Sequence, residues 1–175
     1  EQRFSISGLH LVKLPAARGG RLVLYWFHQD ALLGAYSKDD GKTWTRFAPL
    51  PVLTELNDLK VVQDPTGKVI LVVADKPPQQ LEDLYVAVSD DGVTFSKPAR
   101  LDTDPPHQST SRLPSIAADA AGRILVAWED MRAFRPEIYF NYSGDGGKTW
   151  LARDLKADTA AARHAATPRL VADGQ

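Results

Sequence analysis

Hydrophobic and polar residues alternate along this chain in short bursts, and Gly, Asp or Pro closes nearly every burst. Leu113 to Ala118, Ile124 to Trp128, Glu137 to Tyr142 and Thr149 to Leu155 form one series of four. Short runs of this kind, rich in β-branched and aromatic residues, predict strands, because a period of two puts alternate side chains on one face. Asp119 to Gly122 predicts the turn between the first two, with Gly122 taking positive φ, and Ser143 to Gly147 predicts a tight turn before the fourth. No segment carries helical periodicity. Ala157 to Ala166 reads as a connecting loop, with a short helical turn as the alternative. The pattern is all-β with four strands per unit.

The unit repeats. Ser37-Lys-Asp39-Asp-Gly41-Lys-Thr43-Trp44 and Ser143-Gly-Asp145-Gly-Gly147-Lys-Thr149-Trp150 agree at six of eight positions. A third copy between them, Ser89-Asp-Asp91-Gly92-Val-Thr94-Phe95, is one residue shorter and ends in Phe. The closing aromatics are 51 and then 55 residues apart. A second landmark keeps the same period: Asp64-Pro-Thr-Gly67 before Val-Ile-Leu-Val-Val, Asp119-Ala-Ala-Gly122 before Ile-Leu-Val-Ala-Trp, and Asp173-Gly174, with aspartates 55 and 54 apart. Two independent turn motifs on one period of this length predict a ring or array of four-stranded blades. Phe4 to Leu14 and Arg21 to Phe27 supply the opening strands of the first unit. The units divide at about 1–52, 53–104 and 105–158, and about 165–175 opens a fourth, where Pro168 matches Pro114 and Asp173 matches Asp119.

Composition narrows the chemistry. The 175 residues carry a formal charge of -1 with acids and bases mixed throughout, so no basic stripe is available for nucleic acid. No apolar run approaches the ~18 residues of a membrane span. There is no cysteine, and the four histidines show no metal-ligand spacing, so neither a metal nor another cofactor is expected. Gly-Lys-Thr at 41–43 and 147–149 lacks the upstream glycine of a phosphate loop, where Tyr36 and Tyr142 stand instead.

The Ser-x-Asp-x-Gly-x-Thr-Trp pattern resembles the Asp-box, or BNR repeat, of sialidases and related propellers, and it recurs in all three units. The resemblance implies a sialidase-like β-propeller, six-bladed in its parent form, of which about three blades are present. Remaining blades, or a second copy, are then expected to close the ring, since open sheet faces would otherwise lie bare. It further implies a secreted or periplasmic protein with a glycan or sialoside as partner. In the motif, Asp accepts backbone N–H bonds of its own turn, Gly supplies a left-handed conformation and the aromatic fills the gap between sheets. Ser37, Asp39, Gly41, Thr43, Trp44, Ser89, Asp91, Gly92, Thr94, Phe95, Ser143, Asp145, Gly147, Thr149 and Trp150 are therefore structural.

Antiparallel strands put the Asp-boxes and the turns between first and second strands on one rim, and sialidase active sites lie on the other. Polar residues there that do not recur between units need a reason other than the blade. Arg112 corresponds to Asn57 and Ala166; Glu129, Asp130 and Arg132 correspond to Ala74, Asp75 and Pro77, and to Phe27, His28 and Asp30. Arg112-Leu-Pro114-Ser-Ile116 also resembles the arginine-isoleucine-proline opening of sialidase catalytic domains. Carried over, Arg112 and Arg132 bind a substrate carboxylate, and Glu137 or Asp130 serves as acid/base. Ser111 stands where an aromatic usually precedes the arginine, and no Tyr nucleophile is identifiable. The competing reading of the same residues is an Asp130 salt bridge to Arg132 or Arg135 that braces a loop. Three functions follow: a glycan-binding or scaffolding propeller, an exo-sialidase or related glycoside hydrolase, and a protein-assembly propeller.

Overall fold

A computed structural model describes residues 6–28, 31–50, 53, 55–157 and 165–172. Twelve strands form three four-stranded antiparallel sheets, each ordered as the chain runs. The first comprises β1 (Ile6–Lys13), β2 (Leu22–His28), β3 (Ala31–Ser37) and β4 (Thr45–Phe47). The second comprises β5 (Leu56–Gln63), β6 (Val69–Asp75), β7 (Asp83–Ser89) and β8 (Ala99–Arg100). The third comprises β9 (Ser111–Ala118), β10 (Ile124–Asp130), β11 (Glu137–Ser143) and β12 (Leu155–Lys156). One 3-10 turn, Ala16–Arg18, interrupts the strands. Among the described residues no helix is long and apolar enough to cross a membrane.

The period of two explains how the sheets stack. In β6 every residue is buried. Val69, Leu71 and Val73 point to the first sheet and join Leu14, Val23, Tyr25 and Phe27 in one core. Ile70, Val72 and Ala74 point the other way and join Ile124, Val126 and Trp128 of the third sheet in a second core. A strand with an apolar row on each side must be covered on both faces. In β2 only Val23, Tyr25 and Phe27 are buried, and the residues between them are half exposed. This is the pleat expected of a sheet covered on one side.

The three Asp-boxes close as their sequence predicts. In the first, Asp39 accepts from the Thr43 amide at 2.8 Å, the Thr43 hydroxyl at 2.6 Å and the Ser37 hydroxyl at 2.7 Å, while Ser37 Oγ accepts the Gly41 amide at 2.8 Å. Ser89, Asp91, Gly92 and Thr94 repeat this set, as do Ser143, Asp145, Gly147 and Thr149. These bonds to the ionised form pull Asp39 down to about 2, led by the Thr43 hydroxyl, and hold Asp145 low, led by the Thr149 amide. Each aromatic then packs on the sheet before its own: Phe95 on the first core and Trp150 on the second. Trp44 belongs to neither core among the described residues and is 40% exposed.

Two elements differ from expectation. The fourth strand of the third sheet is only Leu155–Lys156 and does not begin at Thr149. Asn141 of β11 replaces the missing ladder with its side chain, accepting the Leu151 amide at 2.9 Å and donating to the Leu151 carbonyl at 3.2 Å. A side-chain amide satisfies the same backbone groups as a strand neighbour, so the chain can bow out before it pairs. Residues 165–172 carry no assigned strand and lie along β9, where the Leu170 amide donates to Ser115 Oγ at 2.9 Å. Asp173 and Gly174, the fourth copy of the turn, lie outside the described residues, as do Asp30 and most of the Ala157 to Ala166 loop.

Candidate functional site

The rim away from the Asp-boxes is shaped by a bulge that the sequence pattern did not show. In every sheet the innermost strand slips register against its partner, after Ser7, after Asn57 and opposite Trp128. Gly8, Asp58 and Leu113 sit at these slips with φ of 65°, 23° and 51°, and Thr167 repeats the left-handed backbone at 56°. Left-handed backbone is costly for Leu and more so for β-branched Thr, so its recurrence marks a built feature of the innermost strand. The bulges are joined across the ring: the Leu113 amide donates to Asp58 Oδ2 at 3.1 Å.

Arg112 and Asn57 immediately precede two of these bulges. Arg112 pairs across the ladder with Glu129, and Asn57 with Ala74, as the repeat aligned them. The Arg112 guanidinium meets Glu129 Oε1 through Nε at 2.7 Å and Nη2 at 2.6 Å. Glu129 is buried, whereas the Arg112 side chain is 44% exposed. Asn57 Nδ2 donates to Glu82 Oε1 at 2.9 Å, in the β6–β7 connection of its own sheet. The inner rim thus carries amide and guanidinium donors in adjacent units, each tethered to a carboxylate.

Asp130 and Arg132 lie elsewhere. Glu129 and Asp130 are consecutive in β10 and so face opposite sides of the sheet. Asp130 turns with Trp128 toward the second sheet and is fully buried. It accepts from Ser109, Ser111, Trp128 Nε1, the Arg132 amide and the Arg132 guanidinium, all between 2.7 and 3.2 Å. Burial works to raise its pKa, but these donors outweigh it and hold the carboxyl below its ordinary range. Arg132 also meets Asp154 at 2.9 Å and Asp104 at 3.7 Å, with Tyr139 under its face at 4.0 Å. Glu137 is clasped by Lys156 and Arg135, each at 2.9 Å, which keep it ionised.

Sequence reasoning offered Asp130 as a partner of Arg132, which the structure pairs at 2.7 Å, but did not single out its other two, Asp104 and Asp154. Asp83, Asp102, Asp104 and Asp154 gather with Arg100 where the second sheet meets the third. Their sequence signal was weak: Asp102-Thr103 recurs as Asp158-Thr159, and Asp104 stands where the next unit has Ala160. Among the described residues no group of three or more His, Asp or Glu could hold a metal ion. Concave surface also occurs on the open face of the third sheet, where Ala117, Leu125, Tyr142 and Val171 line a groove.

Comparison with solved structures places the fold in known company. An α-L-arabinanase of Penicillium chrysogenum complexed with arabinobiose matches with a TM-score of 0.61 at 17% identity, over 88% of this chain and 50% of its own. An α-L-arabinofuranosidase of Fusarium graminearum matches at 0.62 and 15%, over 94% and 52%. An ulvan lyase matches at 0.63 and 12%, over 84% and 41%. The chain therefore spans about half the length of these relatives, and at such identities the likeness is one of fold. No curated protein sequence matches it. The description "BNR repeat-like domain" matches residues 7–126, more than two thirds of the chain. With three closed Asp-boxes on three stacked four-stranded sheets, the chain belongs to the BNR repeat-like family of β-propellers.

Proposed function

We propose that the chain is part of a propeller that binds glycans through the inner rim, and that its own residues position and hold a sugar without supplying the acid/base pair. The observation that carries this reading is the Arg112–Glu129 pair. A buried carboxylate fixes a guanidinium whose remaining donors stay in solvent, beside the Asn57–Glu82 pair. Fixed, exposed donors alternating with acceptors suit vicinal hydroxyls or a sugar carboxylate. Arg112 is the ligand-binding arginine in this reading. Arg132 serves as a brace, because its guanidinium is committed to three aspartates. Asp130 and Glu137 brace the same loop. A carboxyl held ionised by two cations is a poor proton donor, and one with no exposure cannot reach a glycosidic oxygen.

The enzyme reading has one observation in its favour: the matched structures are named as two glycosidases and a lyase. In that reading other blades contribute the reacting groups and Arg112 contributes substrate binding. The bare faces of the first and third sheets then receive further blades of the same kind, with Trp44 packing as Phe95 and Trp150 do. An extracytoplasmic location accords with a polysaccharide ligand.

Calorimetric titration of the protein with sialyl- and arabino-oligosaccharides tests the proposal, beside turnover of a fluorogenic sialoside. Binding that Arg112→Ala weakens by about 10- to 100-fold, the scale of a lost charge-assisted hydrogen bond or two, is the expected result. Binding unchanged in that variant, or absent from the wild type for both sugar classes, overturns it. Sialoside turnover by the wild type establishes the enzyme reading instead.

A further inference from the structure

The join between the second and third sheets contains more acid than base. Asp83 at the start of β7, Asp102 and Asp104 after β8, Asp130 at the end of β10 and Asp154 before β12 have side-chain exposures of 0, 0, 6, 0 and 0%. Two guanidiniums, Arg100 of β8 and Arg132 of the β10–β11 loop, and the imidazole of His107 face them. Tyr85 of β7 and Tyr139 of β11 border the cluster. Were every aspartate ionised and His107 neutral, three negative charges would be left without a partner in a dry seam. Burial of unpaired carboxylates costs several kcal/mol each, and the usual relief is uptake of a proton.

The geometry shows where such a proton sits. Asp102 Oδ2 and Asp104 Oδ1 both lie against Arg100 Nη2, at 2.7 and 3.0 Å. The two carboxyls thus converge on one guanidinium nitrogen, where two carboxylates repel each other and a proton held by one of them relieves the repulsion. Among the described residues Asp104 Oδ2 is buried and accepts no hydrogen bond; Asp83 Oδ2 accepts none either but lies 3.0 Å from Arg100 Nε and 3.2 Å from His107 Nδ1. Asp83 is already met by Arg100, His107 Nδ1 and the His107 amide, Asp130 by its six donors, and Asp154 by Arg132 and the Thr103 amide.

We infer that Asp102 and Asp104 share a proton, and that its release as the pH rises loosens the join between the second and third sheets. Burial first, then the neighbouring Asp83, pushes Asp102 up to about 7 despite Arg100, and burial raises Asp104 as well. The pair titrates as a unit. The join is exposed to that charge directly: Asp102 accepts the Leu84 amide and the Ser111 hydroxyl, and Thr103 between the two acids exchanges two hydrogen bonds with Asp154 of the third sheet, at 2.8 and 3.0 Å. Ser111 is the neighbour of Arg112, so the device lies beneath the rim proposed to bind sugar without depending on that role.

The sign follows from linkage. A carboxyl whose pKa is higher folded than unfolded contributes stability that is complete below the unfolded value and gone above the folded one. The window therefore runs from about pH 4 to about pH 7. Urea unfolding of the full chain and of Asp102→Asn, followed by circular dichroism from pH 5 to pH 8.5, tests it, and the difference between the two cancels distant groups common to both, His10 among them. The folded-to-unfolded ratio of the wild type relative to the variant is expected to fall by about tenfold per pH unit up to pH ~6.5 and to level by pH 8. A relative ratio that is flat across the range overturns the inference. Should Asp102→Asn fail to fold, infrared spectroscopy of the wild type decides: a protonated-carboxyl band present at pH 6 and lost by pH 8.5 supports the shared proton, and its absence at pH 6 refutes it. Amide exchange reads the loosening. Protection of the Thr103 amide, corrected for intrinsic rate, is expected to fall with the same titration, and equal protection at pH 6 and pH 8.5 refutes a looser join.

Discussion

Adjacent residues of β6 hold different pairs of sheets together, and this can be tested by removing one side chain at a time. Leu71 and Ile70 are each fully buried, Leu71 in the core shared with the first sheet and Ile70 in the core shared with the third. Truncation of either to Ala removes three carbons. At ~0.8 kcal/mol per buried methylene the transfer loss is about 2.4 kcal/mol. The cavity left in a packed seam brings the total to about 3–4 kcal/mol, within the range for such substitutions. Against a typical domain stability of about 5–15 kcal/mol either change is severe. Urea unfolding should show a midpoint lowered by more than 1 M in both variants, for an m-value near ~2 kcal/mol/M. The informative readout is which amides lose protection. Leu71→Ala should accelerate exchange in β2 while sparing β10, and Ile70→Ala should do the reverse. Equal loss on both sides in both variants, or a cost below about 1 kcal/mol for either, would show that the two cores are not the separate seams that the period of two implies.

Three other outcomes follow from particular contacts. Gly147→Ala places a Cβ 2.8 Å from Val88 Cγ1 at a φ of 85°, so thermal unfolding should show a loss of about 1–3 kcal/mol, whereas Gly144→Ala, with open space around it, should show far less. Asn141→Ala strips the Leu151 amide and carbonyl of their partner, and a loss of about 1–3 kcal/mol with early exchange at Leu151 is expected; exchange unchanged there would mean that the backbone re-pairs unaided. Asp39 is held at about 2 by bonds to its ionised form, so its contribution to stability is present above the unfolded value near ~4 and is lost as pH falls through about 2; a carboxyl carbon titration by NMR with a midpoint near 4 would contradict the Asp-box geometry.

The fold was legible because it is written three times. Turn chemistry at Asp39, Asp91 and Asp145 is local, set within five residues, and local rules transfer directly from sequence to structure. The apolar run Val69 to Val73 likewise reads as a strand, and the structure covers it on both faces. The bulges were not legible. Gly8, Asp58, Leu113 and Thr167 share no residue type, so no local rule marks the left-handed backbone that they have in common. Nor was the short β12 visible, because Thr149 to Leu155 has strand composition, and what displaces it is the reach of one amide from β11.

The rim was legible in part, and the division has a physical cause. Comparing the repeats with each other found the charged positions, since residues that no blade requires stand out at Arg112, Glu129, Asp130 and Arg132. It could not tell which of those charges faces solvent. That depends on the pleat: Glu129 and Asp130 are neighbours in sequence, yet one tethers an exposed arginine and the other is sealed in the seam with Trp128. Two arginines that the sequence grouped together are thereby assigned different surroundings. Arg132 satisfies aspartates that would otherwise be buried unpaired, so truncating it should act first on folding, with any effect on binding following from that. Arg112 leaves Glu129 as its single carboxylate partner among the described residues. A substitution there alters the rim while the seam beneath keeps its own donors. Truncation of Arg112 should therefore change affinity directly, with a stability loss beside it because Glu129 is left buried without its cation, whereas truncation of Arg132 should act on stability first.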